Sequence, residues 1–283
     1  MAQPDPIDAH QHFWQIARGD YDWMTDDVAA IRRDILPVDL APVLQRHGIA
    51  GTVVVQAAAT VAETDYLLSL AQDHGWIRGV VGWVDLADPA AAQTFDRLAA
   101  HPAFKGVRPM LQDISDTRWI AQPAVIANLH KLAERGLRLD ALVTPRHLDV
   151  LAEVAAQVPS LKIVIDHCAK PVIAGGADAG DDWRCGMAQL AKLPQIMCKV
   201  SGLANEAGPG WTADVLRPVV DHVLARFGAE RVMWGSDWPV LNLAGGYDRW
   251  RSVSDELFAL LSDADRAAIY GGTAQRFYGL DAG

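Results

Sequence analysis

The sequence predicts an α/β fold, a single (β/α)8 or TIM barrel spanning residues 1–283. Two observations carry that prediction. Short apolar, β-branched runs recur along the whole chain, each separated from the next by a longer stretch with helical spacing of its apolar residues. The runs are also nearly continuous in hydrophobicity, as parallel strands buried on both faces are. They fall at residues 7–12, 51–57, 77–84, 104–110, 137–142, 161–166, 196–200 and 231–235. Helix candidates lie between them at 61–74, 90–100, 122–135, 145–158, 211–227 and 252–261, often opened by Asp, Thr or Pro and closed near Gly. About eight βα units favour a closed barrel over an open doubly wound sheet, and no GxGxxG follows the first run.

The 283-residue length suits one barrel domain. With 51% hydrophobic and 21% charged residues and a mean hydropathy of +0.06, the composition is that of an ordinary globular protein. A net charge of −10 and a pI near 5.3, without any lysine or arginine run, argue against nucleic acid and anionic lipid as partners. No stretch is long and apolar enough to span a membrane, and the N-terminal MAQPDPIDAHQHFW has neither a basic nor an apolar leader region. A cytoplasmic protein is therefore expected. Cys168, Cys185 and Cys198 are odd in number and lack CxxC spacing, so reduced, mostly buried thiols are expected. The Gly-rich stretch VIAGGADAG, residues 172–180, fits either a mobile loop over the site or a plain surface loop.

In a barrel the reactive groups sit at the C-terminal ends of the strands. Polar residues cluster there: His10 and His12 on the first strand, Gln56 on the second, Trp83 on the third, Arg108 on the fourth, Asp166 and His167 on the sixth, and Asp237 on the eighth. Strand alternation projects His10 and His12 to one face with Asp8 beneath them. A lone strand-end histidine is more often structural, and Asp237 alone would serve as a helix cap. An HxH pair converging with a further His and an Asp suits a divalent metal or a proton-transfer site. Trp14, Trp23, Trp83 and Trp238 lie near the same ends, where indole faces stack on sugar C–H groups and indole N–H groups donate to hydroxyls. Core packing is the competing reading for each of them. Lys170 and Lys199 are the other cations near the site, and the sequence leaves open whether Lys199 faces inward. His47, His74, His101, His130, His147 and His222 fall in helical stretches and are expected at the surface or in packing.

IDAHQHFW, FKGVRPML, IDHCAKP, CKVSGL and MWGSDWP occur in this order, and a terminal GGTAQRFYGL follows. Together they resemble the amidohydrolase superfamily, and within it the metal-light lactonase branch that includes fuconolactonases, rhamnonolactonases and pyrone-dicarboxylate lactonases. The resemblance covers nearly the whole chain. It implies a hydrolase that opens a sugar lactone, such as an aldonolactone, with Asp237 activating water and His12, His167 and Arg108 assisting. It also implies a small-molecule lactone as partner, no organic cofactor, and at most one divalent cation, zinc by preference and not strictly required, on His10, His12 and Asp237. Binuclear members have a bridging lysine or glutamate after strand four and a histidine after strand five. This chain has Arg108 and Ala141-Leu142-Val143 at those places, so a two-metal site is not expected. Substrate contacts are assigned to Trp14, Trp23, Gln56, Trp83 and Trp238. So few cations favour a neutral polyol lactone over a dicarboxylate. Two other readings remain open, a metal-dependent decarboxylase of an aromatic or related acid and a non-catalytic sugar-acid binder. The oligomeric state is also left open.

Overall fold

The computed structural model describes residues 3–280. Its eight strands are β1 (Ile7–Gln11), β2 (Gly51–Val55), β3 (Ile77–Gly82), β4 (Phe104–Val107), β5 (Arg138–Ala141), β6 (Lys162–Ile165), β7 (Ile196–Val200) and β8 (Val232–Trp234). All pair in parallel and in sequence order. Beyond the end of β8 the ring closes on β1: the Asp237 N–H donates to the His10 carbonyl at 2.7 Å and the His12 N–H to the Trp238 carbonyl at 2.8 Å. The eight-stranded barrel predicted from the apolar runs is therefore the fold.

Helices α1 (Pro37–His47), α2 (Val61–Asp73), α3 (Ala91–Ala99), α4 (Pro123–Glu134), α5 (Leu148–Gln157), α6 (Asp181–Leu190), α7 (Leu203–Ala207), α8 (Ala213–Phe227), α9 (Tyr247–Leu257), α10 (Asp263–Ala267) and α11 (Thr273–Tyr278) complete the chain. Their starts follow local chemistry. The Thr60 and Thr212 hydroxyls accept the N–H groups of Glu63 and Val215, and Pro37 and Pro123 open α1 and α4. The helix expected at 252–261 begins earlier, at Tyr247, directly after Gly245-Gly246. The helix expected at 145–158 is split, with a 3-10 turn Pro145–His147 before α5.

Two apolar layers result. Val54, Val80, Val107, Leu139, Ile163, Ile165, Val200 and Trp234 pack outward beneath the helices. Ile7, Ala9, Val53, Val55, Val81, Val164 and Met233 form a separate inner cluster with Ala274, Phe277, Tyr278 and Leu280, so the C-terminal helix plugs the barrel. Alternation puts Asp140 on β5 and Lys199 on β7 in the interior, at positions flanked by outward-packing neighbours. Both are fully buried.

Candidate active site

The C-terminal mouth of the barrel opens into a cavity of about 250 Å³, lined by His12, Trp14, Trp23, Ala57, Arg108, Met110, Gln112, Asp113, Leu142, His167, Lys170, Asp237 and Val240. On its floor the Asp237 Oδ1 lies 3.2 Å from His12 Nε2, 3.6 Å from His10 Nε2 and 3.9 Å from His167 Nε2. The strand-end residues of β1, β6 and β8 thus meet at one carboxylate oxygen. Burial opposes the charge on Asp237, but His167, His12 and His10 outweigh it and hold the carboxyl well below the usual range. Burial likewise keeps His167 and His10 below the ordinary imidazole range, His10 strongly so, with Lys199 adding to the effect.

Local backbone geometry creates this convergence. The register of β1 against β2 shifts between Asp8 and Gln11, a bulge that separates Asp8 from the two histidines. Asp8 does not lie beneath them as simple alternation predicts. Its carboxylate accepts the N–H groups of His10 and Ser236 and the Tyr247 hydroxyl, which ties β1 to β8 and α9. After β6 the chain turns through four successive left-handed non-glycine residues, His167, Cys168, Ala169 and Lys170, and Asp237 is left-handed as well, with φ of 59°. Such conformations cost about 1–2 kcal/mol each and concentrate at functional sites. Gly202 makes the His167 position possible, because a Cβ there would lie 2.5 Å from the imidazole Nδ1. Gly235 does the same for His10, where a Cβ would fall 2.6 Å from the histidine's own Cβ.

Hydrogen bonds orient the rings. His12 Nδ1 lies 2.8 Å from the Val55 carbonyl, an acceptor, so Nδ1 carries a proton and the ring is turned with Nε2 towards Asp237. His167 Nδ1 is 2.8 Å from the Ser201 hydroxyl. Arg108 donates through Nη2 to the carbonyl and side-chain oxygens of Gln56, and Gln56 donates back to the Arg108 carbonyl at 2.8 Å. The Arg108 Nε–H has no partner among the described residues.

Three donors suit a divalent ion. His10 Nε2, His12 Nε2 and Asp237 Oδ1 are separated by 3.2, 3.2 and 3.6 Å. Ligands about 2.0–2.1 Å from a tetrahedral zinc stand about 3.3 Å apart, so this triangle fits one ion. The carbonyl partner on the far nitrogen of His12 is the support a metal-binding imidazole requires.

Of the expected substrate contacts, Trp14 and Trp23 line the cavity, whereas Gln56, Trp83 and Trp238 are not among its lining residues. Gln56 holds Arg108. The backbone N–H of Trp83 donates to the Thr64 hydroxyl. Trp238 is buried edge-on against Phe13. The indole N–H groups of Trp14 and Trp23 donate to the carbonyls of Arg33 and Ala57, so these rings offer faces rather than donors. His147 points its Nδ1 at Thr144 in its own turn. The cysteines are free and mostly buried as expected: Cys168 and Cys198 are buried, and Cys185 is exposed on α6. The residues of 172–180 that line a cavity face a separate groove against α6 and α8.

Several contributors had no sequence signal. Gln112, Asp113 and Val240 sit on 3-10 turns past the strands, whose paths periodicity does not encode, while Met110 and Leu142 close the apolar runs at 104–110 and 137–142. Glu63, buried on α2, accepts the N–H groups of Ala57 and Ala58 and shapes the rim. Behind His10, Lys199 Nζ stands 2.5 Å from Asp140 Oδ2 and 3.0 Å from Asp166 Oδ1. With one ammonium between two carboxylates, Asp166 stays well below the ordinary range, because the charges of Lys199 and His10 overcome the burial penalty. Burial pushes Asp140 up to about 6 despite Lys199.

The chain is similar to known proteins over nearly its whole length. The chain is 45% identical to an L-fucono-1,5-lactonase of Burkholderia ambifaria over 97% of its length and 96% of the relative's. It is 38% identical to an L-fucono-1,5-lactonase of Burkholderia multivorans, with the same coverage. A crystal structure of an amidohydrolase from Burkholderia multivorans with bound zinc superposes with a TM-score of 0.92 at 37% identity, covering 98% of this chain and all of that one. The sequence profile of the amidohydrolase family matches residues 7–280, and the chain belongs to that family.

Proposed function

We propose that the protein hydrolyses a neutral sugar lactone, an L-fucono-1,5-lactone or close aldonolactone, to the sugar acid. The observation that carries this reading is the convergence of Asp237 with His10, His12 and His167 on the floor of a cavity walled by Trp14 and Trp23. Curated relatives named L-fucono-1,5-lactonase at 45% and 38% identity support it. So does the shortage of free positive charge. Lys170 pairs with Glu206 at 2.9 Å, and Arg108 lies 3.6 Å from Asp166, so the cavity lacks the cations that a dicarboxylate would require.

In the proposed reaction Asp237 takes a proton from water as the water oxygen bonds to the lactone carbonyl carbon. The C=O electron pair moves onto the carbonyl oxygen, where the Nε2–H of His167 and the unpaired Nε–H of Arg108 act as donors. Ser201 supports the His167 tautomer by hydrogen bonding at Nδ1. As the carbonyl re-forms, the ring C–O bond breaks and its electron pair passes to the ring oxygen. That oxygen takes the proton from Asp237, completing the hydroxy acid. One divalent ion on His10, His12 and Asp237 would add Lewis-acid polarisation of the carbonyl when bound. The indole faces of Trp14 and Trp23 pack against sugar C–H groups. The working location proposed is the cytoplasm; among the described residues no helix is long and apolar enough to cross a membrane.

A pH-indicator assay over a panel of aldonolactones tests the reading. Acid release from six-carbon 1,5-lactones, with little from dicarboxylate lactones, is expected. Silence over the whole panel would remove it.

A further inference from the structure

Two overlapping triads of potential metal ligands share His10: the pocket-side group His10–His12–Asp237 and a deeper group His10–Asp166–His167. Two members of the deeper group, His10 and Asp166, already face a cation. Lys199 Nζ lies 3.0 Å from Asp166 Oδ1 and 3.2 Å from His10 Nδ1, and its third neighbour, Asp140 Oδ2, is 2.5 Å away. Every one of these side chains is fully buried. The Tyr278 hydroxyl donates to the same Asp140 oxygen at 2.7 Å, so α11 seals the cluster from below. Among the described residues neither oxygen of Asp166 has a directed hydrogen bond, so charge holds that carboxylate in place. Its charge partners are Lys199 and, at 3.6 Å, Arg108.

We propose that the Lys199 ammonium is a resident cation on the His10–Asp166 side of the deeper triad, standing where a second metal ion would otherwise sit, and that it limits the protein to one divalent ion. Two carboxylates and an imidazole converging on a dry interior point are a hard-to-borderline donor set, and without a central positive charge they repel one another. The lysine stem reaches that point from β7, supplies the charge from the chain itself, and brings Nζ against His10 Nδ1 and both carboxylates. It also excludes an ion sterically, because a metal held by His10 Nδ1 and Asp166 Oδ1 would overlap Nζ. Lys199 is on this account a positioning residue for His10. The inference does not depend on which lactone is hydrolysed, because its readouts are metal content and melting temperature.

The test measures zinc per chain by elemental analysis after equilibration and desalting, together with Tm against added zinc. Wild type is expected to hold at most one zinc and to gain none at the deeper triad. Lys199→Ala, which opens the space, is expected to hold one zinc more than wild type and to rise in Tm by several degrees as zinc is added. Lys199→Met, which fills the space without charge, should be destabilised without that rescue. A purely structural lysine would leave both variants equally unresponsive to zinc, and that result would overturn the proposal. If Lys199→Ala does not fold, His12→Ala decides: with Lys199 in place and the pocket-side triad broken, it should hold no zinc. Retention of one equivalent by His12→Ala, or of two by wild type, would equally overturn it.

Discussion

Arg108 shows how a single side chain is prepared for a ligand. Two Gln56 oxygens accept from its Nη2 and the Gln56 amide donates to its carbonyl, Asp166 balances its charge, and the buried Nε–H has no partner among the described residues. An unpaired buried donor costs about 1–3 kcal/mol, which an oxygen on the substrate would recover. Arg108→Gln should therefore lower kcat/KM by about 10²-fold or more, as losing one such donor does elsewhere. Steady-state kinetics check this, and an unchanged kcat/KM would remove Arg108 from the mechanism. The strand-end residues His10, His12, Arg108, His167 and Asp237 were readable in the sequence because polar groups stand out against apolar strands. Gln56 shared that signal for another reason, being buried with its side chain bonded to Arg108. Ser201 and Asp140 gave no comparable signal, and the inward direction of Lys199 became definite only with the register of β7.

At the scale of elements, the left-handed turn after β6 and the β7–α7 connection fit each other through Gly202. Gly202→Ala places a Cβ 2.5 Å from His167 Nδ1 at a residue whose φ is +66°, so both ring and backbone must move. Stability should fall by about 1 kcal/mol or more, and kcat by about a hundredfold for a displacement near 1 Å. Thermal melts and kinetics measure the two effects separately, and full activity in a folded variant would contradict the assigned contact. Strand existence was legible from hydrophobic runs, but strand ends were not. β3 and β4 stop at Gly82 and Val107, short of the predicted 84 and 110, because the chain there leaves the sheet to build the mouth. The bulge in β1 left no mark in the residue pattern, yet it decides that Asp8 serves the barrel seam and not the pocket.

Across the whole molecule, buried carboxylates set how stability responds to pH. Burial pushes Glu63 up to about 7 against the hydrogen bonds from Ala58 and Ala57. An unfolded-chain glutamate ionises near about 4.3. Between those values the folded state holds the proton more tightly, so stability falls as pH rises through the window and is level outside it. Asp8, raised to about 6 by burial, acts in the same direction. Asp166 and Asp237, held low, act oppositely: they stabilise above the usual carboxylate range and lose that contribution only as the pH drops below it. Urea midpoints at pH 5 and 7.5 should show a loss of about 2–3 kcal/mol attributable to Glu63, and Glu63→Gln should remove that part of the slope. An identical slope in the variant would mean that Glu63 is ionised throughout.

The barrel of eight parallel strands and the cavity at its C-terminal mouth place Asp237 at the centre of the chemistry. The direct measurement is the initial rate of acid release from L-fucono-1,5-lactone by metal-analysed, chelator-treated protein, wild type against Asp237→Asn. The account predicts turnover by the chelated wild type and a loss of about 10²–10⁴-fold in the variant. Equal rates for the two proteins, or no turnover of any lactone by wild type, would contradict it.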